Sequence, residues 1–358
     1  MVRKSARALV FFVSLALGLG SLVPDGRASE GTDAAEMSLD TCDYAKALQQ
    51  LEPMAKRGDA RAQLILGNVY RYGRGVPVSS AEADKWTALS LDTRKRAADG
   101  GDADAASWIG NSYKYGWATE VDEGKAKEWL AKALARRMQL AEQGDAEAQY
   151  QLGHDFSSGR GVSQQKAEAS RWWAKALPSI RAAAERGDTR MQIRLAFMLD
   201  AGYGTPPDKA ESAKWYRAAT AALASAAEKG SVTAMLELHT MVFLDKPGAD
   251  GNKTARYWHD VLTATYKDAA ARGCVPAQAK LAEWLEAQWF IGMQESKQTR
   301  YRFLMWWTIV AASNDPRYSD LIERARKAMA TASLSIVENE LVANKAARCL
   351  QTQYKICE

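Results

Sequence analysis

The sequence has few of the residues that usually carry catalytic or metal chemistry. It contains three histidines and four cysteines in 358 residues, and no group of them has the spacing of metal ligands. We therefore expect no metal and no other cofactor. The alternation of apolar and polar residues that is typical of strands is also absent, which favours an all-α fold.

Clustered basic residues and long apolar stretches are scarce as well, except at the N-terminus. The sequence lacks the cluster of basic residues that would predict nucleic-acid binding. After residues 1–28, no stretch is apolar and long enough to span a bilayer. Residues 1–28 carry basic residues, then the apolar stretch Leu9–Val23, then the small residues Gly26 and Ala28. This order predicts a signal peptide cleaved after Ala28 and a periplasmic or secreted protein; an uncleaved anchor is the alternative. Cleavage would lower the formal net charge from +5 to about +2.

A period of 43 residues dominates the remaining sequence. Glycine, tryptophan, leucine or isoleucine, and alanine each recur at this spacing, in phase with one another. Such a period predicts stacked repeats that share one continuous core. The glycine column is Gly58, Gly101, Gly144, Gly187, Gly230 and Gly273, and the aromatic column is Trp86, Trp129, Trp172, Trp215, Trp258 and Tyr301.

Each repeat predicts two helices. In the first repeat, Asp59 can cap the first helix by accepting hydrogen bonds from its initial N–H groups. Gly73 and Gly75 end that helix, because glycine readily adopts the left-handed conformation of a helix end. Ser79 or Ser80 can cap the second helix. Small residues then allow close helix packing, and the tryptophans fill the remaining space.

The segment GDARAQLILGNVYRYGRGVPVSSAEADKW (Gly58–Trp86) closely resembles the Sel1-like repeat, a relative of the tetratricopeptide repeat. Gly144–Trp173 resembles it equally well. The resemblance covers about residues 42–313 and is specific in the first four repeats. The fifth departs from it at His239 and at Asp245–Lys253, which replaces the Gly-x-Gly turn, and the sixth keeps little of the pattern.

The resemblance implies a right-handed α-solenoid of about six helix-turn-helix repeats with helical caps. Pro178, in the second helix of the third repeat, predicts a kink or break because proline removes a helix hydrogen bond. We predict a signal peptide (1–28), a flexible tether (29–41), an N-terminal helix (42–57), six repeats (58–100, 101–143, 144–186, 187–229, 230–272 and 273–314) and C-terminal capping helices with a tail (315–358).

Export makes disulfide bonds permissible. Cys349 and Cys357 are eight residues apart, one at a helix end and one in the tail. The ending Ala347–Glu358 resembles terminal segments of other exported Sel1-like proteins, which implies a bridge between these two cysteines; free thiols are the alternative. We expect Cys42 and Cys274 at opposite ends of the array, too far apart for a bond.

The resemblance also implies the function of an exported, non-catalytic adaptor or regulator. The concave groove of such an array, lined by the first helix of each repeat, would bind a protein or peptide partner in the bacterial cell envelope. Aromatic and arginine side chains dominate binding hot spots, although Trp108 and Tyr150 could instead be partly buried spacers. The predicted groove residues are Leu64, Ile65, Tyr72, Trp108, Asn111, Tyr115, Tyr150, Gln151, His154, Ile193 and Arg194.

Two other functions remain open. Ser163–Lys166 matches the S-x-x-K motif, and some relatives have been described as β-lactamase-like or penicillin-binding. The motifs S-D-N and K-T-G are missing, however, and Ser163 lies where a helix cap is expected, so we assign no catalytic residue. A peptidoglycan or carbohydrate binder could use the groove aromatics. Of the histidines, His154 could face the groove, whereas His239 and His259 fit packing positions.

Overall fold

The computed structural model describes residues 30–243, 253–290, 297–332, 334–352 and 357. The predicted signal peptide and most of Asp245–Lys253 lie outside these residues. Within them, all regular secondary structure is helical. The α-helices are α1 (Glu30–Asp40), α2 (Tyr44–Lys56), α3 (Ala60–Tyr72), α4 (Ser80–Asp99), α5 (Ala103–Tyr115), α6 (Glu123–Glu142), α7 (Ala146–Ser158), α8 (Lys166–Glu185), α9 (Thr189–Ala201), α10 (Lys209–Glu228), α11 (Val232–Phe243), α12 (Lys253–Ala271), α13 (Val275–Phe290), α14 (Lys297–Ala311), α15 (Ser319–Thr331) and α16 (Ile336–Gln351).

The helices form two compact units. Of the described residues, those from 30 to 54, from 65 to 83 and from 259 onwards form the terminal unit. The central unit comprises residues 55–64 and 84–258. In the described part of the chain, no helix is both long and apolar enough to cross a membrane.

In the central unit, successive helices pack as pairs. Helix α5 packs on α6, α7 on α8, and α9 on α10, and each second helix also packs on the first helix of the next repeat. The predicted all-α fold of paired helices is confirmed. So is the capping by aspartate, because the side chains at the N-caps accept backbone N–H hydrogen bonds. These N-cap residues are Asp59, Asp102, Asp145 and Asp188.

Close approach between the two helices of the third repeat requires a glycine. A Cβ atom on Gly153 would lie 2.1 Å from Nε1 of Trp173. The same indole nitrogen donates a hydrogen bond of 3.2 Å to the backbone carbonyl of Tyr150. Trp173 and the repeat-column residue Trp172 are both buried in the core with Leu152. The small residue therefore places α7 directly against the indole ring.

Two local predictions for the third repeat are wrong. Helix α8 continues through Pro178 without a break. Pro178 is exposed, and Ala176 and Ile180 on either side of it are buried, so tertiary packing holds the helix together despite one missing hydrogen bond. The expected cap at Ser163 is also wrong, because Gln165 occupies the N-cap position and makes no side-chain cap hydrogen bond.

In the terminal unit, the predicted flexible tether is a helix. Helix α1 spans Glu30–Asp40, buries Ala35 and Leu39, and packs on α13. At its end, Asp40 lies 3.4 Å from Nζ of Lys280 and accepts a hydrogen bond of 3.2 Å from Tyr266. A short helix is marginal in isolation, so this order depends on contacts with residues far away in the sequence.

The cysteine pairing is partly as predicted. Cys349 and Cys357 form a disulfide with a Cα–Cα distance of 4.9 Å, which confirms that prediction. The prediction that Cys42 and Cys274 lie too far apart is wrong, because they form a disulfide with a Cα–Cα distance of 5.9 Å. Residues near the N-terminus pack on the C-terminal helices within one unit, and this arrangement brings the two cysteines together.

Polar contacts also join the N-terminal and C-terminal parts of the terminal unit, in addition to the disulfide between Cys42 and Cys274. Tyr44 and Tyr318 share a hydrogen bond between their hydroxyl groups. Arg74 binds both carboxylate oxygens of Asp320, at 2.9 and 3.1 Å. The N-terminal segment of this unit is therefore attached to the C-terminal helices by covalent and polar contacts.

Candidate functional site

The predicted groove residues differ widely in exposure. Tyr150, Gln151 and Arg194 are buried, and Tyr150 and Arg194 are each only 4% exposed. These three are therefore not accessible to a partner, which corrects their assignment. Among the other eight, only Tyr115 is exposed; Ile65 and Tyr72 belong to the terminal unit and the rest to the central unit. The seven half-buried residues are Leu64, Ile65, Tyr72, Trp108, Asn111, His154 and Ile193.

The three buried residues form a polar contact between α7 and α9. The guanidinium of Arg194 lies 4.5 Å from the centroid of the Tyr150 ring and pairs with Glu147. Gln151 donates a hydrogen bond of 2.9 Å to the same carboxylate. These side chains join the third and fourth repeats, so their role in the described structure is to hold repeats together.

A second buried polar cluster joins α5, α6 and α7. Arg137 on α6 donates hydrogen bonds to Asp155 at 2.7 Å and to Asp104 at 2.8 Å. Burial opposes its charge, but the two carboxylates outweigh burial and raise the pKa of Arg137. The sequence carries only a weak signal for this cluster, because arginine does not recur at this position in every repeat. One period before Arg137 lies Arg94, but one period after it lies Ile180.

His154 is a packing residue among aromatic rings. Its ring centroid lies 4.7 Å from that of Tyr150, 5.3 Å from Trp173 and 5.7 Å from Tyr203. Burial, together with the charge of Arg160, lowers the pKa of His154 to about 3. The imidazole is therefore neutral at neutral pH and packs against aromatic rings of the third and fourth repeats.

The low pKa of His154 predicts a stability loss at mildly acidic pH. The unfolded chain binds a proton at its ordinary pKa of about 6.5, whereas the folded chain does not until about pH 3. Stability is thus full above pH 6.5 and falls as the pH drops below it. We expect the His154→Gln variant to lose about 2 kcal/mol less than the wild type between pH 7.5 and 5. Urea unfolding at both pH values measures this difference, and equal losses would contradict the assignment.

The other histidines also lie in helices. His239 is buried in α11, and His259 is half-buried in α12. Across the described ranges, no three His, Cys, Asp or Glu side chains come together as metal ligands.

Three aromatic side chains from α5 and from the turn that follows it lie together. We call Trp108, Tyr115 and Trp117 the aromatic patch. The ring centroids of Trp108 and Trp117 are 6.5 Å apart, and those of Tyr115 and Trp117 are 5.3 Å apart. Tyr115 is 47% exposed and Trp117 is 38% exposed. The patch is therefore a cluster of large apolar side chains that reach solvent.

Trp117 was not predicted, because it occupies a turn position rather than a helix face. In the other repeats with this turn, the equivalent residues make internal contacts. Arg74 and Arg160 form ion pairs, and Tyr203 stacks on Trp173 at 3.9 Å. Comparison of the turns was the signal that could have identified Trp117, since among the four repeats with this turn the second alone has tryptophan at this position.

Comparison with protein families gives four matches along the chain. A family model described as Sel1 repeat matches residues 60–89, 103–136, 146–177 and 189–222. The chain contains four Sel1 repeats. The aromatic patch lies within the second matched range, and the divergent fifth and sixth repeats lie outside the matched ranges.

Solved structures of Sel1-repeat proteins also match. A Sel1 repeat protein from Oxalobacter formigenes is 23% identical, with 80% of this chain and 98% of that chain covered and a TM-score of 0.27. The protein c5321, described as a protective antigen in uropathogenic Escherichia coli strains displaying an SLR fold, is 17% identical, with 99% and 95% covered and a TM-score of 0.23. Comparison with curated proteins gives no match.

Sel1 repeats generally form protein-interaction scaffolds. The residues Ser163 to Lys166, which match the S-x-x-K motif, are all exposed. Nucleophiles of serine hydrolases lie in clefts that position substrate, so this placement does not favour the β-lactamase-like alternative.

Proposed function

We propose that this Sel1-repeat protein is an exported, non-catalytic scaffold that binds a protein or peptide partner in the bacterial cell envelope. The observation that supports this most is the exposure of the aromatic patch on a helical repeat. Exposed tryptophan and tyrosine side chains in clusters are typical of binding hot spots.

We propose the aromatic patch as the docking surface in place of the buried residues of the predicted groove. Tyr150 and Arg194 are buried, whereas Tyr115 and Trp117 reach solvent. Val121, which follows the patch in the same turn region, is exposed as well. A partner that covers these side chains would remove apolar surface from water, which favours association.

The disulfides support export. All four cysteines are paired, Cys42 with Cys274 and Cys349 with Cys357. Such bonds form and persist in oxidising compartments and are rare in the cytosol. They are consistent with the predicted cleavage after Ala28, and the mass of the mature chain purified from cells tests that cleavage directly.

Site-specific crosslinking tests the proposed partner. A photo-crosslinking amino acid at Trp117 should capture a defined envelope protein, and the same group at Tyr257, which is also exposed, should not. With that partner purified, Trp117→Ala should weaken binding by at least about tenfold, while Tyr257→Ala should leave it within about twofold.

Two outcomes would contradict the proposal. One is equal capture from positions 117 and 257. The other is retention on purified peptidoglycan that is lost in Trp117→Ala, since this result would assign the aromatic patch to a carbohydrate ligand instead.

A further inference from the structure

The two cysteines of the long disulfide occupy junction positions that other residues fill elsewhere in the chain. At each repeat junction, a glycine with positive φ ends one helix, and the next residue caps the following helix. Cys42 takes the glycine position at the end of α1, with a φ of 62°. Cys274 takes the cap position before α13. The junction glycines, with φ between 84° and 92°, are Gly58, Gly101, Gly144, Gly187, Gly230 and Gly273.

The backbone of Cys42 is strained. Among the described residues, it is the one residue other than glycine with a positive φ, a region that is unfavourable for residues with a Cβ atom. The hydrogen bonds around it match those of the glycine junctions, since Asp43 N–H donates to the Ser38 carbonyl at 2.8 Å as Asp102 N–H donates to Ala97 at 2.9 Å. Opening the disulfide would let the end of α1 unwind and relieve this strain.

The position of Cys274 favours a thiolate. Its carbonyl accepts the N–H of Gln278 at 3.1 Å, which places Cys274 at the N-cap of α13. A bridged sulfur is uncharged and a weak acceptor, whereas a thiolate there would accept the initial N–H groups and would be stabilised by the helix dipole. The residues that supply a side-chain oxygen at this position of earlier repeats are Asp59, Asp102, Asp145, Asp188 and Ser231.

The disulfide is more accessible from Cys42 than from Cys274. Cys42 is half-buried, whereas Cys274 is only 6% exposed. An attacking thiolate therefore meets Cys42, and Cys274 leaves with the electron pair. Exchange is faster when the leaving thiolate is better stabilised. Tyr44 donates a hydrogen bond of 3.2 Å to Sγ of Cys42, which would stabilise the Cys42 thiolate when it is released in turn.

We propose that the Cys42–Cys274 disulfide is a site of thiol–disulfide exchange with a dithiol oxidoreductase, and that its reduction releases α1 from α13. One thiolate of the dithiol bonds to Sγ of Cys42 while the Cys42–Cys274 bond breaks and Cys274 leaves as a thiolate. The second thiolate of the dithiol then displaces Cys42 from this mixed disulfide. The dithiol becomes a disulfide, and its two electrons and two protons end on the two cysteine thiols.

The release of α1 follows from how it is held. The disulfide lies two residues beyond Asp40, the last residue of α1, and Asp40 itself contacts Lys280 and Tyr266. A helix of 11 residues is marginal without such attachments. This inference goes beyond the proposed function, and it does not depend on which partner the scaffold binds.

Timed reduction of the full mature chain with dithiothreitol tests the exchange site, with Cys349–Cys357 as the internal control. Both disulfides join a half-buried cysteine to a buried one, but Cys349 lies in the last turn of α16, where the helix dipole disfavours a thiolate. Alkylation and mass spectrometry should show Cys42–Cys274 opening at least about tenfold faster. With glutathione as a monothiol probe, the mixed disulfide should form on Cys42 and not on Cys274.

Hydrogen exchange of the reduced chain tests the release of α1. Amides of α1 should exchange at least about tenfold faster than in the oxidised chain, while those of α7 should not change. Cys42→Gly with Cys274→Asp restores the usual junction residues, so this variant should fold and show the fast exchange of α1 without a reductant.

Three results would overturn the inference. The first is that the short disulfide opens as fast as the long one or faster. The second is that glutathione is trapped on Cys274. The third is that α1 keeps its protection both in the reduced chain and in the Cys42→Gly, Cys274→Asp variant, since the disulfide would then not control its attachment.

Discussion

Replacing Cys42 and Cys274 by serine together should lower the free energy of unfolding of the terminal unit by about 2–5 kcal/mol. The bridge spans 232 residues of sequence, and the entropy that a crosslink removes from the unfolded chain grows with the length of the closed loop. Domains are stable by only about 5–15 kcal/mol in total, so this loss is a large fraction. Denaturant unfolding of the wild type and the variant measures it.

Cys349→Ser with Cys357→Ser is the matched control, because that bridge spans only eight residues. Its removal should cost less, about 2–3 kcal/mol. Hydrogen exchange gives an independent readout: amides of α1 should lose protection in the Cys42 and Cys274 variant and keep it in the control. If the short bridge contributes as much as the long one, the long bridge does not stabilise the unit in this way.

The Arg137→Ala variant should be destabilised by about 3–5 kcal/mol. Arg137 and Asp155 are both buried, so truncation leaves a carboxylate in the interior without its closest cation. Arg160 lies 3.8 Å from Asp155 and can compensate only in part. Thermal or urea unfolding of the variant measures the loss, which should appear in the central unit.

The exposed ion pair of Arg171 and Glu168 on α8 is the matched control for Arg137. Removing it by Arg171→Ala should cost less than about 1 kcal/mol, as is usual for surface pairs. Asp155→Asn introduced together with Arg137→Met should recover part of the stability, because it removes the buried charge that Arg137 balances. Equal effects of Arg137→Ala and Arg171→Ala would show that the buried cluster contributes little.

Much of the helical architecture could be predicted because the same residue types recur at the same position of successive repeats. A single aspartate before a helix is a weak signal, but aspartate at the same phase in Asp59, Asp102, Asp145 and Asp188 is a strong one. Capping, helix pairing and the tryptophan column depend on neighbours within about one period. The bond between Cys349 and Cys357 is local in the same sense.

The candidate site was harder to predict, because helical periodicity gives the helix face on which a residue lies but not how deeply its side chain is buried. Arg194 and Tyr115 both occupy first-helix positions, yet Arg194 is buried against Tyr150 while Tyr115 reaches solvent. Which of them a partner can reach depends on the side chains of the adjacent repeat. Trp117 was missed for a related reason, since a turn position has no periodic face.

By itself, the sequence determined the all-α fold, the 43-residue repeat with its caps and turns, and the position of the divergent repeats, because these follow from short-range preferences that recur in phase. Only the tertiary structure decided that α1 is a helix, that Cys42 bonds to Cys274, and that the aromatic patch reaches solvent while Arg194 does not. These features arise from packing between residues distant in sequence, where burial and partner side chains outweigh local propensity.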